Sequence, residues 1–441
     1  MSRVAVIGAG WSGLACALEL ARRGFAVALF DAAPQAGGRA RAVVVRLGDR
    51  QYTLDNGQHL LIGAYTETLR LMGECGIEVN DALLRLPFEM RYPDGCLLRA
   101  SPLPAPLHLA AGLLAARGLS WADRRQAIAF VLRWRRRGWR IVDDVAASTL
   151  FTEAPVEIVR RLWRPLCVAA LNVELQEASA QVLLNVLRDS LAGGARAADF
   201  LIPRRNLSEV FATPALQALA GRSAQLHLRS PVQQLSRDDA NWRIDSRGQM
   251  TQADAVVLAL PPHRAAELLQ TMQHAELEGA IAALRSIAMA PIATVYLRYA
   301  PRLRLPWPAC ALLDDPAADR YGQWVFDRGQ LDEANAGVLS VVISAAGAAL
   351  LTDSSALAAS VAAQLSTDLG LPAPLASAVI ADKRATIVLA PGLRRPPVAL
   401  PLPSLYLASD AAESEYPSTL EGSVRAGVNA ARALADDLRR A

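Results

Sequence analysis

The sequence predicts an α/β chain that opens on a dinucleotide-binding βαβ unit, and three observations in "RVAVIGAGWSGLACALELARRGFAVALFDA" predict it. A short apolar run, Val4 to Ile7, precedes Gly8, Gly10 and Gly13. Apolar residues then recur at helical spacing through Leu14, Leu18 and Ala21. A second apolar run, Ala26 to Phe30, ends in Asp31. Strand, glycine turn, helix and acidic strand end, in that order, are what the fingerprint requires. Gly8 permits the tight turn, Gly10 lets the backbone approach a pyrophosphate, and Gly13 lets helix and strand pack closely. The helix N-terminus faces the phosphate charge. Asp31 is placed to accept hydrogen bonds from the adenosine ribose.

The bulk of the chain bounds the rest. At 441 residues it is long enough for two domains and a large buried ligand. It is 52% hydrophobic, with a mean hydropathy of +0.20, yet no run reaches the eighteen apolar residues of a membrane span. The start, "MSRVAVIGAGWSG", reads as a first strand and its turn rather than a leader. Five scattered cysteines form no CxxC pair, so neither a disulfide framework nor a metal site is expected, and the thiols fit a reducing cytoplasm. The net charge is +4 and Lys383 is the only lysine; no module for nucleic acid accompanies the arginines.

After Asp31 comes "AAPQAGGRARAV". With Gly37, Gly38 and Arg39 the N-terminal segment resembles the FAD-binding oxidoreductases typified by amine oxidases, protoporphyrinogen oxidase and phytoene desaturases. The resemblance implies FAD as cofactor and a Rossmann-like FAD-binding domain assembled from discontinuous segments, with a mixed α+β substrate domain inserted. In that family the GG-R segment lies along the pyrophosphate and ribityl chain, with Arg39 on phosphate. The segment "LHLRSPVQQLSRDDANWRIDSRGQMTQADAVVLALPP" reads as strand, turn, strand, turn and a last apolar strand, and resembles the second piece of the domain, with Val232 near the adenine. The segment "LYLASDAAESEYPSTLEGSVRAGVNAARAL" resembles the closing signature. There Asp410 is expected at the ribityl or pyrophosphate region. Leu420, Glu421 and Gly422 set a helix N-terminus against the N1–C2 edge of the flavin. Ser409 departs from the usual glycine. The implied division is 1–80, 205–270 and 385–441 for the cofactor, and 81–204 and 271–384 for the substrate.

In "YTLDNGQHLLIGA" a polar turn, Asp55 to His59, separates two apolar runs. Asn-Gly alone explains a turn. The segments "DNGQHLLIGAYTETL", "RLWRPLCVAALNVELQEASAQVLLNVLRDSL" and "FLIPRRNLSEVF" are similar to the squalene-associated FAD-dependent desaturase family, whose members are hydroxysqualene dehydroxylases. This resemblance implies reduction of an allylic hydroxysqualene to squalene, with the hydroxyl leaving as water. A proton donor is then needed; His59 and Asp55 are the nearest ionisable candidates, and Gly57 and Gln58 are expected to touch the flavin ring. Trp163, Arg164, Pro165 and Asn172 are expected to line the substrate tunnel, with Tyr416 and Thr419.

An amine oxidase is disfavoured: Thr419 stands where the amine oxidases carry a cage tyrosine, and "APIATVYLRY" offers Ala293 where they carry a lysine. A phytoene-type desaturase running on oxidised flavin stays open, as does a non-enzymatic isoprenoid binder of the GDP-dissociation-inhibitor type. A triterpene substrate suggests a cytoplasmic protein at the inner face of the cell membrane. The expected anchor is "WADRRQAIAFVLRWRRRGWRIV", where Trp121, Phe130, Trp134 and Trp139 stand among seven arginines facing anionic lipid.

Overall fold

A five-stranded parallel sheet organises one half of the molecule, in the order Gln225–His227, Ala26–Phe30, Arg3–Ile7, Ala255–Leu258 and Leu405–Leu407. The computed structural model describes residues 2–103, 107–194, 196–238 and 241–440. The central strand from Val4 to Ile7 and its neighbour Ala255–Leu258 are apolar and buried because both faces of the sheet are covered. Val4 and Val6 pack with Leu14 and Leu18 on one side, while Ala5 and Ile7 pack with Trp242 and Leu269 on the other. Helix Trp11–Arg22 follows the glycine turn, and the C-terminal helix Leu420–Arg440 lies along it. Their backbones meet at Gly427, where a Cβ would stand 2.1 Å from the Ser12 carbonyl oxygen.

The strand-rich middle segment forms as expected. Val232–Arg237, Trp242–Ser246 and Gln249–Ala253 make an antiparallel sheet, and the chain then enters the parallel sheet as Ala255–Leu258. A second five-stranded sheet is antiparallel, ordered Ala309–Ala311, Trp324–Asp327, Val338–Ser344, Met289–Arg298 and Ala376–Ile387. A helical lobe, including Trp121–Arg136, Arg164–Leu171 and Ala180–Leu187, packs beside it.

Two expectations fail in that lobe. Trp163 is 1% exposed, with its ring 4.7 Å from Phe130 and 5.5 Å from Phe151, so it fills the lobe's core and borders only a side crevice, not the main cavity. Phe130, Trp134 and Trp139 are likewise buried, and of the four aromatic anchors only Trp121 stays exposed, at 66%. Aromatics at helical spacing have been recruited to the core, where each removes far more apolar surface from water than an interface contact does. Among the described residues no helix is long and apolar enough to cross a membrane.

Candidate active site

Between the two sheets lies a cavity of about 970 Å³, at the upper end of the range for small-molecule sites, roughly 300–1,000 Å³. Its cofactor end is built on the glycine turn. Gly8 has φ +110°, and a Cβ there would lie 2.2 Å from the Ala259 carbonyl oxygen. A Cβ on Gly13 would lie 1.8 Å from the Gly8 carbonyl oxygen. Gly10 is different: its Cβ would meet only the Gly38 Cα, at 3.9 Å. The protein itself does not forbid a side chain at Gly10, so the room beside it is room for a ligand.

Gly8, Gly10, Asp31, Gly38, Arg39, Val232 and Asp410 all line this end; Gly13 is buried behind the turn. Asp31 accepts the Ala9 N–H at 2.6 Å and the Ala33 N–H at 2.7 Å, leaving further lone pairs for a ribose diol. Arg39 donates to Asp410 at 2.9 Å and to the Ala385 carbonyl at 2.7 Å, so it reaches the cavity already paired. Burial opposes charge on Asp410, but Arg39 and a bond from Ser418 outweigh it and hold the carboxyl below its usual range. Among the described residues its Oδ1 is buried without a partner, as a carboxylate awaiting a ligand hydroxyl would be. Ser409, at the position usually glycine, is accommodated by accepting the Ala411 N–H at 3.0 Å.

The helix Leu420–Arg440 points its N-terminus into the same cavity, where Thr419, Leu420 and Glu421 are lining residues. The Thr419 hydroxyl accepts the Gly422 N–H at 3.1 Å, so Leu420 and Glu421 carry the first N–H groups without an intrahelical acceptor. The Glu421 side chain faces away. Its carboxylate accepts Glu67 and Thr68 N–H groups at 3.1 and 2.9 Å and pairs with Arg425 at 2.6 Å. It thereby caps the helix Thr66–Glu74. These residues fit FAD: a glycine cradle for pyrophosphate, an acid at each end and a helix dipole for the ring edge.

The polar turn is a junction. Asn56 bonds Arg39 and Arg41. Gln58 accepts from Arg328 and Ser340, each at 3.0 Å, and donates to the His59 carbonyl at 3.1 Å, so its amide fastens the turn to the antiparallel sheet. Asp55 does not line the cavity. Its carboxylate accepts the Leu207 N–H at 2.7 Å and its carbonyl accepts the Tyr296 hydroxyl at 2.8 Å. Burial pushes its carboxyl up to about 6, against the Leu207 bond and the charge of Arg328. An acid enclosed by backbone has no path to a substrate, which corrects its expected catalytic place.

His59 does line the cavity, beside Gly57. Burial pulls its imidazole below 6.5 despite the bond to Gly57. Because a carbonyl only accepts, the 2.7 Å contact to Gly57 O fixes the proton on Nδ1 and leaves Nε2 bare in the neutral ring. In the neutral ring His59 offers an acceptor at Nε2, and burial works against the protonated donor form expected of it. Asn172 lines the wall but spends its amide on Thr386 at 2.8 Å and the Ala345 N–H at 2.6 Å. Pro165 lines the cavity, while Arg164 is held by Glu174 and Asp314, both at 2.6 Å.

In the polar group at the flavin end, Tyr416 and Thr419 line the cavity as expected from the sequence, whereas Tyr65 and Asp189 were missed. Tyr65, which lines the cavity beside Thr419, is pushed up to about 12 by burial and keeps its proton. Tyr416, also pushed up to about 12 by burial, lines the cavity with Asp189 and lies under Arg425, 4.4 Å from the ring centre. Asp189 belongs to the π-helical turn Arg188–Ala192. Tyr65 and Asp189 both stand inside quoted motifs, and neither spacing nor pattern singles them out there. The opposite end of the cavity is apolar, lined by Leu60, Ile62, Phe88, Leu166, Phe200 and Trp324.

The profile of the flavin containing amine oxidoreductase family matches residues 11–435. The chain is 30% identical to the hydroxysqualene dehydroxylase of Rhodopseudomonas palustris, over 97% of both chains, and 25% identical to that of Zymomonas mobilis, over 98% of both. A probable zeta-carotene desaturase of Synechococcus elongatus is 26% identical over 58% of this chain and 56% of its own. Two solved structures share the fold at a TM-score of 0.70, each over 99% of both chains: a putative protoporphyrinogen oxidase from Exiguobacterium, 15% identical, and cyclohexylamine oxidase from Brevibacterium oxydans, 19% identical. The chain belongs to the flavin containing amine oxidoreductase family and is a flavin-dependent oxidoreductase whose cofactor is FAD.

Proposed function

We propose that the protein is a hydroxysqualene dehydroxylase, reducing hydroxysqualene to squalene and water. The observation that carries this reading is one cavity that joins a flavin cradle to a long apolar wall through a small polar group, Tyr65 with Thr419. End-to-end similarity to two proteins of that name supports it. In the accompanying division, residues 1–80, 205–270 and 385–441 hold the flavin and 81–204 and 271–384 enclose the triterpene.

When bound and reduced, FAD supplies the electron pair and hydrogen that the allylic carbon gains. The chain does the rest. Apolar walls exclude water that would trap an allylic cation as the C–O bond breaks. Tyr65 donates a proton to the departing hydroxyl, which leaves as water. At about 12 its phenol is still a stronger acid than water, roughly 15.7, so the transfer runs downhill. His59, a neutral acceptor, orients the substrate hydroxyl through Nε2. The first N–H groups of Leu420 and Glu421 stabilise negative charge at the ring edge.

An amine oxidase reading lacks its tools, since strand Met289–Arg298 carries no lysine and Ala293 is fully buried. A carotenoid desaturase is the second reading, favoured by the partial similarity to zeta-carotene desaturase. Product analysis separates them. Anaerobic enzyme with reduced flavin should convert hydroxysqualene to squalene; turnover of a carotene by oxidised enzyme, with hydroxysqualene untouched, would overturn the first reading.

A further inference from the structure

We infer that the outer face of the two helices Leu107–Leu114 and Trp121–Arg136 is a docking surface for an anionic lipid bilayer. The proposal concerns this face alone and does not depend on which apolar substrate the cavity accepts. The two helices pack against each other. On the longer one Asp123, Ala127, Phe130 and Trp134 are buried against the lobe. At 3.6 residues per turn, Trp121, Arg125, Leu132 and Arg136 share the opposite face. Trp121 is 66% and Leu132 44% exposed there. On the shorter helix Leu107 and Leu114, two turns apart, are 58% and 49% exposed.

Charge says what covers this face. Between residues 121 and 140 stand seven arginines and one aspartate, a surplus larger than the +4 of the whole chain. The aspartate, Asp123, is turned inward to cap its helix at Ser120. Arg125, Arg135 and Arg136 carry no ion pair among the described residues. Arginine around exposed Trp and Leu matches anionic headgroups above acyl chains, whereas a second copy of the same basic face would repel it.

The location has a use. A crevice beneath Leu107–Leu114, reaching Val131 on the longer helix, shares Phe88, Leu166 and Leu191 with the apolar end of the cavity. A lipid-seated face thus lies over a crevice that shares its floor with that end.

The test is co-sedimentation of the FAD-loaded protein with large vesicles of phosphatidylglycerol and phosphatidylcholine, or of phosphatidylcholine alone, at low and high salt. Wild type is expected to pellet with the anionic vesicles at low salt and to be released by salt. Trp121→Glu with Leu132→Glu should weaken binding at least tenfold, and so should Leu107→Glu with Leu114→Glu, with flavin absorbance unchanged as the control for folding. Arg125→Glu with Arg136→Glu, which leaves the apolar residues in place, should weaken it as well. Wild type remaining in the supernatant, or all three variants pelleting like wild type, would overturn the proposal. So would a wild-type dimer that the variants dissolve while vesicle binding is unchanged, since the face would then serve a second copy.

Discussion

A side chain at Gly10 collides with nothing in the protein, whereas one at Gly13 meets backbone at 1.8 Å. The two positions therefore separate a ligand requirement from a folding requirement. Gly10→Val should fold with near-normal stability and purify without flavin, and Gly13→Val should fail to fold; full flavin occupancy in Gly10→Val would contradict the cradle. For proton donation, Tyr65→Phe should retain FAD and lose about 10²-fold or more in turnover, within the usual range for general acids. His59→Phe, which removes the Nε2 acceptor and the Nδ1–H bond to Gly57 but no acid, should lose less than Tyr65→Phe, and the reverse order would return the donor role to the imidazole.

Asp55 gives a pH-dependent prediction. Its carboxyl sits higher in the folded chain, about 6, than the usual 3.8, so its contribution to stability is full below 3.8 and is lost as pH rises through about 6. The difference is worth about 3 kcal/mol. Asp55→Asn removes the charge that must be buried, and an amide oxygen still accepts the Leu207 N–H. Urea unfolding of both proteins should show the variant gaining up to about 3 kcal/mol on wild type between pH 4 and pH 7. A difference that does not change with pH contradicts this account of Asp55. The DNGQH turn showed itself as polar in the sequence, but its roles were hidden because Leu207, Tyr296, Arg328 and Ser340 reach it only through the fold.

At the level of elements, the nucleotide-binding helix is held by its neighbour. Helix Leu420–Arg440 crosses Trp11–Arg22 where Gly427 allows backbone contact with Ser12, one residue before Gly13. Gly427→Leu should force the helices apart, costing about 1–3 kcal/mol as overpacking does and loosening the phosphate turn. Thermal unfolding and flavin retention would both fall; unchanged retention would mean the crossing is not coupled to the cradle. The elements legible in the sequence are those whose pattern is local: the βαβ start, the meander from Val232, and the helix after Thr419. The burial of Phe130, Trp134 and Trp163 was not legible. Arginine neighbours give the same local signal for a surface helix and for one whose opposite stripe is packed on residues such as Phe151.

Across the whole molecule, the parallel sheet could be foreseen from fragments because each fragment brings its own strands: two near the start, two in the middle segment and one before Asp410. The active-site polar group could be foreseen only in Tyr416 and Thr419. Tyr65, Asp189 and Tyr416 lie on three segments with no common spacing, and only the closure of the helical lobe over the flavin half brings them to one cavity. That closure also sets the apolar wall beside the cradle, and the reaction proposed for the chain rests on this juxtaposition. The most direct measurement is a single anaerobic turnover in D₂O, with the bound flavin reduced chemically and then mixed with hydroxysqualene. Squalene should form in equal amount to the flavin reoxidised, carrying a single deuterium at the former carbinol carbon. Flavin that stays reduced, or squalene without that label, would contradict the account.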